Sequence, residues 1–193
     1  MGDNDNVDGD GVQYKHDAQV YHGQLGAKFA PADVLKLTVG ASIYGYDNDK
    51  EAAILQSFGN TTNEFNLVEG FGQIDFTGLA IPLSAYGQYV KNTESTDGED
   101  QAWLAGLKTK MGAWSLDYNY RDVQRNAVVS LFTDSDFGLG GTNLKGFVLG
   151  GSYGLYRDTA VGLRWYSARN IQGMTYDPAV IAGQRYEVDT VMV

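Results

Sequence analysis

Cysteine is absent from the sequence, which removes disulfide staples and thiolate metal sites, although that absence alone does not fix a redox compartment. No run approaches the ~18 apolar residues of a membrane-crossing helix. Histidine occurs only at His16 and His22, neither sits in a recognisable nucleophile motif, and no Ser and His pairing can be placed. Gly138 to Gly141, GLGG, lacks the Lys and the helix of a phosphate loop and reads as a loop end. Catalysis therefore finds no footing, and the chain reads as a non-enzyme. Positive charge is scarce as well: 14 Lys and Arg against 24 Asp and Glu leave a net charge of -10. Without a basic stripe there is nothing to hold a phosphate backbone, so nucleic acid is not an expected partner. After Met1 comes GDNDNVDGDG, with neither a basic n-region nor an apolar h-region, so no signal peptide is read. The expectation is a cytosolic chain or one whose true beginning lies upstream.

What is present is a folded composition, 43% hydrophobic with 25 glycines and 3 prolines over 193 residues. It is arranged by a period of two. In residues 142–170 two long arms flank a turn at Tyr156, Arg157 and Asp158. On the returning arm Val161, Leu163 and Trp165 share one face while Gly162, Arg164 and Tyr166 share the other, since successive strand side chains point to opposite sides. The same plan recurs along the chain. Strands are expected over about 17–29, then from Leu35 to Tyr44, where Leu35, Leu37, Val39, Ala41 and Ile43 oppose Lys36, Thr38, Gly40, Ser42 and Tyr44. Further strands follow over about 64–76, with a bulge expected at its glycines, and over about 82–91 and 103–108. From Trp114 to Arg121 apolar and aromatic residues oppose Ser115, Asp117, Asn119 and Arg121, and a last strand starts at Arg185. The total is about nine strands, with no helical period.

Alternation alone is shared by sandwiches and membrane barrels. Three features favour the barrel: long strands, short turns at one end with long polar loops at the other, and aromatics at both strand ends. Phe29, Phe76, Trp114 and Tyr156 lie near the short turns; Tyr21, Tyr89, Trp103, Tyr120 and Trp165 lie nearer the loops. The expected fold is all-β, an antiparallel up-and-down meander forming part of a transmembrane outer-membrane β-barrel. Residues 1–193 are taken as one barrel domain that opens on an acidic loop, 1–16. Single-chain bacterial barrels have even strand counts, so about nine strands require at least one more, and open edges are expected near Val20 and Val188.

The string FTDSDFGLGGTNLKGFVLGGSYGL at 132–155, followed by AVGLRWYSARNI, resembles the C-terminal region of the putative porin family of Gram-negative outer membranes. That resemblance implies a large antiparallel barrel of about sixteen strands admitting small solutes, with this chain as its later half. It also implies localisation in the bacterial outer membrane, the lipid bilayer and small hydrophilic solutes as partners, and a homo-oligomer as a possible assembly, trimers being common among porins.

If the apolar face meets lipid, the other lines a lumen and carries Lys28, Lys36, Lys108, Arg121 and Arg164 with Glu69, Asp75 and Asp117. Such mixed charge filters solutes by size and sign; the blander alternative is solvated residues pairing across strands. No cofactor is expected. Asn6, Asp8, Asp10 and Asp17, with Gly11 at the sixth position, fit the spacing of a Ca²⁺ loop, but Asn at the first position and Asp at the twelfth weaken it against an ordinary acidic loop. Three functions stay open at this point: a passive porin, a non-transport barrel acting as an anchor or adhesin, and a soluble ligand-binding β-barrel.

Overall fold

The computed structural model describes residues 18–52, 55, 58–172 and 187–192. The acidic loop 1–16 and the Ca²⁺ spacing of Asn6, Asp8, Asp10 and Asp17 lie outside the described residues. Nine strands form one antiparallel sheet in which each strand pairs with its neighbours in sequence. They are β1 (Gln19–Ala32), β2 (Leu35–Asp47), β3 (Asn66–Phe76), β4 (Leu83–Asn92), β5 (Gln101–Met111), β6 (Trp114–Val123), β7 (Leu144–Tyr156), β8 (Thr159–Asn170) and β9 (Glu187–Met192). Among the described residues, helix is confined to short 3-10 turns such as Asp49–Glu51 and Ser130–Phe132.

The short ends are tighter than the sequence suggests. Pairing runs up to two-residue turns, 33–34 between β1 and β2 and 112–113 between β5 and β6. At the latter, Gly112 supplies a φ of 58° that a β-branched residue would resist. Tyr156 is the end of β7 and no part of its turn, which is Arg157 and Asp158. Pro31 lies inside β1, where the register shifts between Phe29 and Ala32. Proline has no N–H to give to a ladder, and an edge strand with an irregular register tolerates that. The bulge expected at the glycines of β3 is not there: β3 keeps continuous register with β2 and with β4. Phe71 takes an inward place in that register and lies across Gly40, so close that a Cβ on Gly40 would come within 2.3 Å of its ring.

Burial follows the two-residue period, but with inverted polarity. On β2, β3 and β6 Ile43 is 62% exposed, Val68 46% and Leu116 44%, whereas Ser42, Glu69 and Asn119 on the opposite face are 2%, 6% and 6% exposed. A water-soluble sheet buries its apolar face, and this one presents it outward. Aromatic rings also lie on the outer face and touch across strands. Trp114 sits 4.7 Å from Tyr153, and Phe147 meets Trp165 edge-on at 5.0 Å, pairs worth about 0.5–1.5 kcal/mol beyond area burial. Tyr21 and Phe29, at opposite ends of this face on β1, are eight residues apart, or roughly 26 Å along a strand. Allowing for the usual strand tilt, that is close to the apolar band of a membrane barrel.

The inner face is curved, because one recess of about 670 Å³ is lined by residues from β2 (Lys36) through β9 (Met192). The sheet does not close. Among the described residues β1 and β9 are its two edges, and no ladder joins them.

Candidate pore-lining face

Lys36 pairs with Asp75, Asp75 with Ser84, Ser84 with Lys108, Lys108 with Asp117, Asp117 with Gly150, and Gly150 with Arg164. These positions form one level across seven strands, spaced by the ~4.8 Å between neighbours. Alternation explains the coincidence: every member has the inward parity of its own strand, and unbroken register from β2 to β7 keeps the parities aligned. The next level toward the long loops, Thr38, Gln73, Tyr86, Gly106, Asn119, Val148 and Tyr166, carries no charged side chain. It does supply the partners that fix the charged level. Asp75 accepts hydrogen bonds from Ser84 Oγ at 2.5 Å and Gln73 Nε2 at 2.6 Å. Asp117 accepts from the Tyr86 hydroxyl at 2.8 Å and more weakly from Asn119 Nδ2 at 3.3 Å. Lys108 Nζ donates to Gln73 Oε1 at 2.8 Å and stands 5.5 Å from the centre of the Tyr86 ring. Tyr86 lies over Gly106, where a Cβ would come within 2.4 Å of its ring and 2.8 Å of Asn119 Cβ.

The sequence-predicted lining residues are therefore not one site. Lys36, Lys108, Asp117 and Arg164, with Asp75, line a single recess, which Lys110 joins. Lys28 is exposed on edge strand β1, opposite the inward Thr38 and outside that recess. Arg121 lies higher, under the connection 124–143: its Nη1 pairs with Asp134 Oδ2 at 2.9 Å and its guanidinium stands 5.2 Å from the centre of the Phe137 ring. Glu69 accepts from the Tyr44 hydroxyl at 2.9 Å and from Gln88 Nε2. His22 stacks on Tyr44 at 5.9 Å, and among the described residues no group of three or more acidic or His side chains is placed to hold a metal.

At the long-loop end the connections fold inward. Ala127 and Val129 pack with Leu67, Val90 and Ala102 on the inner side of β3 to β5, and Phe137 packs on Val148, Tyr166 and Ala168. Buried asparagines tie these connections to one another. Asn126 Oδ1 accepts from Thr61 N at 2.8 Å, and its Nδ2 donates to Thr61 Oγ1 at 2.8 Å and to Asp97. Asn92 Nδ2 reaches the carbonyls of Glu64 and Asn126, while Asn60 Nδ2 reaches those of Arg125 and Val128. Asp97 shows the electrostatic result: burial raises its pKa, but the Glu99 N–H, the Ser95 hydroxyl and the Asn126 amide outweigh that and hold it below the ordinary carboxylate value. Nothing in the sequence singled out these amides, since loop asparagines show no period.

A polar level inside an outward-apolar, open meander is how a pore wall is built, and comparison with family models agrees: that of the putative porins matches residues 59–192. The chain belongs to the putative porin family. No curated protein and no solved structure matches it. The match takes in β3 to β9, and with them the inward-folded connection and every member of the charged level except Lys36. In this porin chain the inner side carries two features, the charged level toward the short turns and connection 124–143 packed against it toward the loops. Between that connection and the wall a smaller space of about 240 Å³ remains, lined by Gln88, Leu104, Arg121, Asp134 and Phe137 among others.

Proposed function

We propose that the chain forms part of the wall of a passive diffusion channel in the bacterial outer membrane, open to small hydrophilic solutes. The observation that carries this reading is the inverted polarity of the sheet. An outer face with Ile43 at 62% and Leu116 at 44% exposure needs lipid, and an inner face carrying Lys36, Asp75, Lys108, Asp117 and Arg164 needs water. Further strands pair with β1 and β9 and close the barrel, because an unpaired edge in lipid leaves the N–H and C=O groups on its open side without partners. Residues 1–193 then act as one barrel domain, the lumen selects by size and charge, and no covalent step or cofactor is involved. The outward leucines and valines speak against a soluble ligand-binding barrel.

Planar-bilayer recording on the full-length natural protein tests this. Stepwise, ohmic conductance increments are expected. Insertion into the bilayer with no conductance would replace the channel by a non-transport anchor or adhesin.

A further inference from the structure

The two ends of the inner face treat charge differently. All four salt bridges among the described residues lie toward the long loops, where Lys50, Lys91, Arg121 and Arg125 are paired with Glu64, Asp100, Asp134 and Glu99. Toward the short turns, the recess is lined by four cations, Lys36, Lys108, Lys110 and Arg164, and two carboxylates, Asp75 and Asp117. Both carboxylates are engaged by neutral donors, Asp75 by Ser84 and Gln73 and Asp117 by Tyr86 and Asn119. Lys108 Nζ donates its hydrogen bond to Gln73 Oε1 and not to a carboxylate, and Lys36, Lys110 and Arg164 are exposed and line the open recess. A chain of net charge -10 thus carries an excess of positive charge in this recess, made by the charged level and by Lys110 beside it. Low-dielectric walls focus such a field along a pore axis.

We propose that this level is an anion-selecting stretch of the lumen, suited to small anions carrying carboxylate or phosphate groups. The inference rests on the channel reading and gives it a substrate class. A passing anion exchanges part of its hydration for the ammonium groups of Lys36 and Lys110 and the guanidinium of Arg164. The hydrogen-bonded acids, fixed against the wall, offer a passing cation fewer free acceptor sites. At the opposite end Glu64, Asp100, Asp134 and Glu99 are each paired with a Lys or Arg, which offsets part of the negative charge of those acidic connections.

The test is the reversal potential of the full-length natural protein in a planar bilayer under a KCl gradient. Chloride should permeate in preference to potassium. Lys36→Gln and Lys110→Gln, both at exposed positions, should each lower the chloride to potassium ratio by roughly twofold, the size of one unit charge acting over about 8 Å of water. Lys50→Gln, at the loop end, should leave the ratio unchanged. Inorganic phosphate added to one side should reduce the chloride current in the parent protein and reduce it less in Lys36→Gln. Conductance without a chloride preference, or an equal shift with Lys50→Gln, overturns the anion inference and leaves the channel standing. Absence of conductance overturns both.

Discussion

At the scale of single residues, small groups carry the arrangement. Gly106 is the seat on which Tyr86 lies, and Tyr86 in turn holds Asp117. Gly106→Ala places a methyl within 2.8 Å of Asn119 Cβ as well as against the Tyr86 ring, and only the ring can swing away. The expected outcome is a loss of about 1–3 kcal/mol in denaturant unfolding, with Tyr86 fluorescence or its aromatic NMR resonances moving as it leaves Asp117. Asn126 is the corresponding pin among the connections, 1% exposed and bonded to two of them. Asn126→Ala strands buried donors and acceptors, so stability should fall by about 1–3 kcal/mol in thermal unfolding, and the connection 124–143 should become open to protease. Asp97 adds a pH dependence. Its folded pKa lies below the ordinary 3.8, so the stabilisation is fully present above that value and is lost as pH falls through the lower folded one. Pepsin cleavage in the segment 93–100, taken relative to Asp97→Asn at the same pH, should rise as pH falls through that lower value.

Among the elements, the strands were legible because a period of two is hard to imitate. β2 and β6 alternate cleanly, and the outer and inner parities read from them are those observed, with Ile43 and Leu116 exposed outward and Ser42 and Asn119 buried inward. Strand ends were less legible. Ladder hydrogen bonds carry pairing past the last alternating residue, which is why β1 runs on through Pro31 and β7 through Tyr156. β3 misled because its glycines suggested an interruption; in the sheet they leave room for neighbours such as Phe71 to lie flat, and the register is untouched. The charged level was half legible. Parity gave its members, but which lysine stands opposite which aspartate depends on turn lengths and register. Asp134 reaches Arg121 only because a connection folds inward through asparagine contacts more than 60 residues apart in sequence, and no local pattern encodes that. The element-scale prediction concerns the outer face. Val39, 48% exposed near the middle of β2, faces outward and on the proposed reading meets lipid, so Val39→Arg should cost about 2–4 kcal/mol in lipid-vesicle unfolding. Thr38→Arg, one residue along and facing inward, should cost little by the same measurement.

For the whole molecule, the open sheet sets the order of local stability. Strands β3 to β7 are paired on both sides, whereas β1 and β9 each lack one partner. When this 193-residue chain is refolded in detergent, amides of β1 and β9 that face the missing partners should exchange with deuterium far faster than those of β4 to β6. Uniform protection across β1 would mean that its edge is already covered. The asparagine ties reach further still. Connections 48–65, 93–100 and 124–143 hold one another through Asn60, Asn92 and Asn126, so releasing one loosens the grip on the others. Connections tied in this way are expected to move as one body. In a current trace its movement would be a telegraph, flipping between two fixed levels with a single dwell-time constant for each, where independently hinged loops would give a smear of amplitudes.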